Sequence, residues 1–411
     1  MALHYYTVHS INEIEAPQWQ RLLTTSCYNS SDSQIQPERL YPFLDYRFLK
    51  ALEDNHCIDA HCDNPYQQSQ TGWLIHYLIG ENNSGEIEQI LPCFIKHHSY
   101  AEYVFDWAWA DAYQRHGFQY YPKLLLAAPF TPATGPRVLG SASPDWQSIS
   151  DVLYRQCVEL DLSGFHINFI DASSHQQLSD QDSVLGRQAC QFHWFNQGID
   201  QKPYQSFDHY LEHFTSRKRK SVKKERQKVA QQNIRMIRKT ADQISEDDIK
   251  TFYHCYQMTY AQRRSRGYLN EGFFQQLLQT MPEQLLLVCA EYNDQPGQSI
   301  ACALYLFDDT TLYGRYWGAL AHADSLHFEA CYYQGIEFCI ELGLQRFDPG
   351  TQGEHKISRG FQPTLTYSAH QLLHPEFSQA VENFLSEEKQ HIESYRQDAE
   401  TLLPFKAAGL D

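Results

Sequence analysis

The sequence predicts an α+β protein with two similar domains in tandem, each a mixed sheet flanked by helices, followed by a C-terminal helix. Three observations predict this. The chain has 411 residues, 42% of them apolar, more than one core needs at about 100–200 residues per domain. The same coarse order of helices, antiparallel meander, long helix and two strands occurs twice. The composition also changes sharply near residue 200, where Lys202-Pro203 reads as a linker and a basic run follows. The predicted domains are therefore 1–202 and 203–374, the second opening on a basic helix, with a terminal helix in 375–411.

The elements follow in order. Ser30-Ser31-Asp32-Ser33 and Pro37 read as loop. The spacing of Phe43, Leu44, Phe48 and Leu49 predicts a helix over 38–52. Residues 73–80 and 87–96 read as two strands around an Asn82-Asn83-Ser84-Gly85 turn. Leu124–Ala128 reads as a buried strand, and Pro129, Pro132, Gly135 and Pro136 give the next stretch a fixed shape. A helix over 146–162 and strands over 165–170 and 191–195 complete the first half. In the second half, helices are predicted over 249–265 and 273–279, and strands over 285–292, 299–307 and 311–317. A long helix over 326–342 ends at Gly343. Strands at 346–348 and 364–370 and a polar helix over 376–402 follow.

Aromatic content of 14% with only 20% charged residues excludes a disordered chain. A net charge of −17 excludes a general nucleic-acid coat protein. The N-terminus has no basic start and no apolar run, and the apolar stretches are far shorter than the roughly twenty residues of a membrane span. A cytoplasmic location with no membrane span is therefore expected. The eleven cysteines, with Cys289, Cys302, Cys331 and Cys339 in apolar surroundings, read as reduced core-filling thiols. His56-Cys57 and His61-Cys62 lack the paired spacing of a zinc site, so no metal is expected.

The charge is unevenly spread. Residues 217–239 hold eleven Lys or Arg and one acid, Glu225, so this segment carries +10 and the other 388 residues carry −27. Two readings stay open. Arg217, Lys218, Arg219, Lys220, Lys223 and Lys224 could neutralise the phosphates of CoA or tRNA. Equally, the helix could pack its charge against the acidic remainder of the protein.

Six stretches carry a resemblance to a known family. They are 98–111 (HSYAEYVFDWAWAD), 129–137 (PFTPATGPR), 216–226 (SRKRKSVKKER), 313–318 (YGRYWG), 327–338 (HFEACYYQGIEF) and 349–361 (PGTQGEHKISRGF). Together they resemble the FemAB-like family of predicted N-acyltransferases, a two-domain branch of the GNAT superfamily linked to peptidoglycan biosynthesis. The resemblance spans roughly 38–405 and implies two tandem GNAT-like domains. It also implies transfer of an activated acyl or aminoacyl group to a small-molecule or peptide amine, such as a peptidoglycan-type precursor. Acyl-CoA or aminoacyl-tRNA would be the co-substrate, with tRNA a further partner, no DNA and no tightly bound cofactor. The alternative is a non-catalytic tRNA- or polyanion-binding module on a degenerate GNAT fold.

The resemblance also points to residues. Lys356 matches a Lys that closes the corresponding loop of Fem-type relatives. Acyl transfer needs a group to stabilise the tetrahedral oxyanion and a base for the amine's proton. Lys356 is expected in the first role and His355 or Glu354 in the second, with Arg359 close by. Arg315, His327 and Glu329 are candidate substrate contacts beside the long helix. Arg315–Leu320 fits the first four positions of the GNAT pyrophosphate loop and departs from it at Leu320. In the first domain His98, Tyr100, Glu102 and Asp106 suit an amine or sugar acceptor, the two carboxylates sharing a helix face if 98–116 is helical. Arg137 is the expected anion contact there.

Overall fold

The computed structural model describes residues 3–27, 37–60, 70–351 and 353–406. The chain forms two compact units, 1–190 with 365–394 and 191–364 with 395–411. The sequence places the domain boundary at 202/203 and sets the terminal helix apart from 375 on. The structure instead crosses inside a strand at 190/191, returns to the first unit at 365 and leaves it again within the last helix, Pro375–Thr401.

The first unit holds β1 (His4–Val8), β2 (Trp73–Ile75), β3 (Tyr77–Glu81), β4 (Ile87–Leu91), β5 (Cys93–Lys96), β6 (Lys123–Leu126) and β7 (Gly164–Ile170). β1, β3 and β4 make a small antiparallel sheet, while β2, β5, β6 and β7 lie side by side in a larger one. The two strands expected at 73–80 and 87–96 are thus four. Each breaks once, at His76 and at Pro92, and contributes to both sheets; a proline has no N–H to continue a ladder. β6 and β7 run parallel, joined by the helix Trp146–Glu159 whose buried Ile149, Val152, Leu153 and Cys157 face the core. The helix expected over 38–52 begins only at Tyr46, because the Asp45 carboxylate accepts the Arg47 N–H as its cap. Ser30 to Ser33, His61 and Cys62 lie outside the described residues.

β8 (Leu185–Phe195) starts in the first unit and ends in the second. The second unit adds β9 (Ile234–Thr240), β10 (Leu285–Tyr292), β11 (Ser299–Phe307), β12 (Thr311–Ala319) and β13 (Arg346–Asp348), in the order β9-β10-β11-β12-β13 with the end of β8 beyond β13. β9 and the helix Ala172–Ser179 escape the sequence reading. Only Ile234 of β9 is buried, and its Arg235, Arg238 and Lys239 dress an edge strand. β12 and β13 are parallel, as β6 and β7 are. β14 (Gln362–Leu372) then pairs antiparallel with β7, so the last strand of the chain completes the first unit's sheet. This is the expected α+β architecture of mixed sheet and helices in each unit with a C-terminal helix, to which the first unit adds the small antiparallel sheet β1-β3-β4.

Candidate functional site

The parallel pair β12/β13 is short. Only 311–313 face 346–348; β12 then runs on to Ala319 while the other chain turns away at Pro349. A crevice outside the carboxyl ends of parallel strands is a general place for ligands. The loop 349–361 folds here, and the helix that starts at Leu326 packs beside it. Within that helix Glu329–Tyr333 form a π turn, a rare feature that recurs at functional sites. The Tyr305 hydroxyl donates to the Ala330 carbonyl inside this turn. Gly343, at φ 70, ends the helix as expected.

Lys356 is the innermost polar group, 1% exposed. Its Nζ donates to the Gly350 carbonyl at 2.6 Å and lies 3.4 Å from that of Pro349. Burial pulls its pKa down to about 8, against the opposing pull of Asp348. Asp348 is itself buried and accepts the Gly350 N–H at 2.9 Å. His355 sits at the outer edge, its Nε2 2.8 Å from the Tyr332 hydroxyl. Burial, then Arg359 and Lys356, lower its pKa. His327 packs on Trp317 and Tyr332 and is held down to about 4, first by burial and then by the neighbouring His355, Arg359 and Lys356. Both imidazoles are therefore neutral at pH 7. Glu354 is exposed and accepts the Tyr395 hydroxyl at 3.0 Å. The structure thus gathers Lys356, His355, His327 and Arg359 around one fork and leaves Glu354 on its rim.

Arg359 and Glu329 serve the framework. The Arg359 guanidinium lies 3.5 Å from the Phe328 ring centroid, donates to the His355 carbonyl at 2.6 Å and pairs with Glu225. Glu329, expected to touch substrate, is held by Arg226 at 2.9 and 3.0 Å and by Gln334 at 2.7 Å. Arg226 also reaches Glu337 at 2.6 Å. These anchors, Glu225 and Arg226, were hidden within the basic run. Glu225 was visible as its one acid, but its partner stands 134 positions away.

The basic helix Ser216–Gln231 settles how the run is divided. From Arg226 onward its cations are paired: Lys228 with Asp324, Arg235 with Glu291, Arg238 with Glu341, Lys239 with Asp248. Before that, Lys223 pairs with Asp208 on the surface. Arg217, Lys218, Arg219, Lys220 and Lys224 have no acidic partner among the described residues. Four of them crowd the helix N-terminus, where the dipole disfavours positive charge. The second reading, packing against acidic neighbours, holds for the later half of the run and fails for these five.

Arg315–Leu320 is not a loop. Arg315 is the extra residue of a bulge in β12, which shifts register between Leu304/Tyr316 and Tyr305/Gly314. Gly318 is filled from the other side: a Cβ there would sit 1.7 Å from the Cys255 carbonyl oxygen. This glycine lets the helix Glu246–Gln262 lie close on the sheet rather than cradle a phosphate.

In the first unit, 99–105 is not helical, and the helix starts at Trp107 with Asp106 as its cap residue. The expected shared helix face of Glu102 and Asp106 is therefore absent. Both carboxylates turn inward onto Lys123, while Tyr100 is exposed between the rings of His98 and Trp107. Arg137 is buried and donates to the carbonyls of Asn168, Pro136 and Ala133 at 2.6, 2.7 and 2.9 Å. It fixes the proline-rich loop, which leaves it poorly placed as an anion contact. Among the described residues no cluster of His, Cys, Asp or Glu could hold a metal ion.

A model of the FemAB-like family, described as peptidoglycan biosynthesis/recognition, matches residues 10–407. The chain belongs to the FemAB-like family. No curated protein matches it. Among solved structures, FemX is 10% identical, covers 92% of this chain and 100% of its own, and aligns with a TM-score of 0.51. A conserved protein of unknown function from Bacteroides thetaiotaomicron VPI-5482 is 9% identical over 87% of this chain and 98% of its own, with a TM-score of 0.49. A tandem GNAT protein of the clavulanic acid biosynthesis pathway is 6% identical over 90% and 97%, with a TM-score of 0.42. The FemX likeness shows a shared fold. No helix among the described residues of this FemAB-like chain is long and apolar enough to cross a membrane.

Proposed function

We propose that this FemAB-like protein transfers an activated acyl or aminoacyl group to an amine, with the chemistry at the β12/β13 fork. The amine nitrogen attacks the donor carbonyl carbon, the C–O or C–S bond of the donor breaks, and one amine proton is removed. The observation that carries the reading is Lys356, a buried amine shifted to about 8 beside neutral His355. At pH 7 it is mostly the ammonium, placed to stabilise the oxyanion. In the tautomer whose Nε2–H donates to the Tyr332 hydroxyl, His355 Nδ1 holds the lone pair that takes the proton. Glu354, on the rim, is the less favoured base.

The donor is a CoA thioester or an aminoacyl-tRNA; both carry phosphates, and the five unpaired cations of the basic helix suit either. The strand-bound Gly318 weighs against an ordinary pyrophosphate loop and so favours the aminoacyl-tRNA. The acceptor is a peptidoglycan-type amine, in line with the family's description. Those same five cations support the second reading, polyanion binding without chemistry. Radiolabelled transfer from acyl-CoAs and from charged tRNA, at low and high salt, separates the readings. Transfer from charged tRNA that high salt abolishes is the expected result; salt-sensitive binding with no transfer from either donor would leave only the binding module.

A further inference from the structure

The first unit contains a second polar centre, independent of the transferase reading. Lys96 ends β5 and Lys123 begins β6, and the two stand directly opposite each other. Both are 0% exposed. Burial draws the Lys96 pKa well below the usual lysine value, whereas Asp106 and Glu102 keep Lys123 charged despite its burial, so charging both amines needs anions beside them. The anions come from the loop above. Glu102 Oε2 lies 2.8 Å and Asp106 Oδ2 2.5 Å from Lys123 Nζ, and Glu102 Oε1 lies 4.0 Å from Lys96 Nζ.

The fit is incomplete. Lys96 Nζ, Glu102 Oε1 and Asp106 Oδ1 are buried without a hydrogen-bond partner among the described residues. Lys96 Nζ rests instead 3.7 Å from the Trp73 ring centroid. The loop is also strained. Ala101 and Tyr103, on either side of Glu102, have φ of 62° and 60°, a region that residues with a Cβ disfavour. On its outer side Tyr100 and Phe105 are more than half exposed, so little apolar burial holds the loop down. Strain and unmet polar atoms favour a second position of this loop, against the hydrogen bonds of Ser99 with Lys123 and Tyr121 and of the Arg187 guanidinium to the Phe105 carbonyl.

We propose that Lys96 and Lys123 form a binding site for a dianionic ligand, a phosphate monoester or a dicarboxylate, in which Glu102 and Asp106 stand in for the ligand's oxygens. Three carboxylate oxygens around two lysine amines approximate what a tetrahedral phosphate presents, and a dianion supplies the charge that lets Lys96 hold its proton. Tyr120, whose hydroxyl donates to Asp106 Oδ2 at 2.6 Å, lies outside the loop and remains to donate to the incoming anion. The ligand displaces the loop carboxylates and exposes the 97–106 segment.

The test is amide hydrogen exchange of the full chain during titration with inorganic phosphate, then succinate, with chloride at matched ionic strength. Phosphate or succinate is expected to speed exchange across 97–106 saturably, by roughly fivefold or more, with chloride doing nothing. A response to phosphate alone assigns a monoester, to succinate alone a dicarboxylate. Lys96→Met, which removes the amine without a hydrogen-bond partner among the described residues, should abolish the response. An unchanged or slower loop, an equal effect of chloride, or a full response in Lys96→Met overturns the proposal. If Lys96→Met does not fold, the titration of the unsubstituted protein decides alone.

Discussion

The Arg359 guanidinium places one nitrogen, Nη2, 2.9 Å from both carboxylate oxygens of Glu225. Glu225 also accepts the Tyr333 hydroxyl. A single acid in a basic helix thus ties that helix to the loop carrying Lys356 and to the π turn. Glu225→Gln removes one partner of a largely buried pair. It should cost roughly 1–3 kcal/mol of stability, read by denaturant unfolding. Activity should fall further than stability explains, because Arg359 then holds the loop less firmly. A variant as stable and active as the parent contradicts this coupling.

Lys356 carries a pH signature. Its pKa is about 8 in the folded chain, against 10.5 for an unperturbed lysine side chain. The unfolded chain therefore binds more protons between these values, and this group makes stability rise as pH rises from about 8 to 10.5. Below pH 8 the charged, buried amine costs roughly 3 kcal/mol. Lys356→Met should then be at least as stable as the parent at pH 7, lose this rise, and lose turnover. Thermal unfolding at several pH values checks the first two and a transfer assay the third. A stability curve with the same slope in both proteins rejects the assignment.

The unpaired cations predict a salt slope. Replacing Lys218, Lys220 and Lys224 with Gln removes three of the proposed phosphate contacts and should flatten the log–log salt dependence of polyanion binding by about 2–3. The same substitutions at Lys228 and Arg238, which face acids, should change it far less. Filter binding of tRNA from low to high salt measures both.

Gly318 is expected to tolerate nothing larger. The Cys255 carbonyl occupies the place of its Cβ, so Gly318→Ala must push a helix off the sheet. A loss of at least about 3 kcal/mol follows, visible as a lowered thermal midpoint or loss of soluble protein. An alanine variant of ordinary stability would mean the helix shifts freely.

The sequence reveals what periodicity and composition encode. The long helix to Gly343, the meander from β10 to β12 and the loop around Lys356 are legible because apolar spacing, turn residues and clustered glycines act locally. The bend at His76 is not legible, since both halves of that strand are equally apolar and only the partner sheets differ. β9 is hidden because its charges continue those of the preceding helix. Glu102 and Asp106 read as acceptor contacts on one helix face; that they cover Lys96 and Lys123 depends on two strand ends meeting. The positive φ at Ala101 and Tyr103 leaves no residue-type signal. Lys356 could be found by its surroundings in sequence, whereas the Arg226–Glu329 pair spans 103 positions and needs the fold.

One consequence concerns synthesis on the ribosome. β7 is translated by residue 170, yet its antiparallel neighbour within the first unit, β14, is not complete until residue 372. For the time it takes to make some two hundred further residues, β7 presents an open hydrogen-bonding edge. The nascent first half must wait for the far end of its own chain, and a fragment truncated after the first half would emerge with that edge permanently bare.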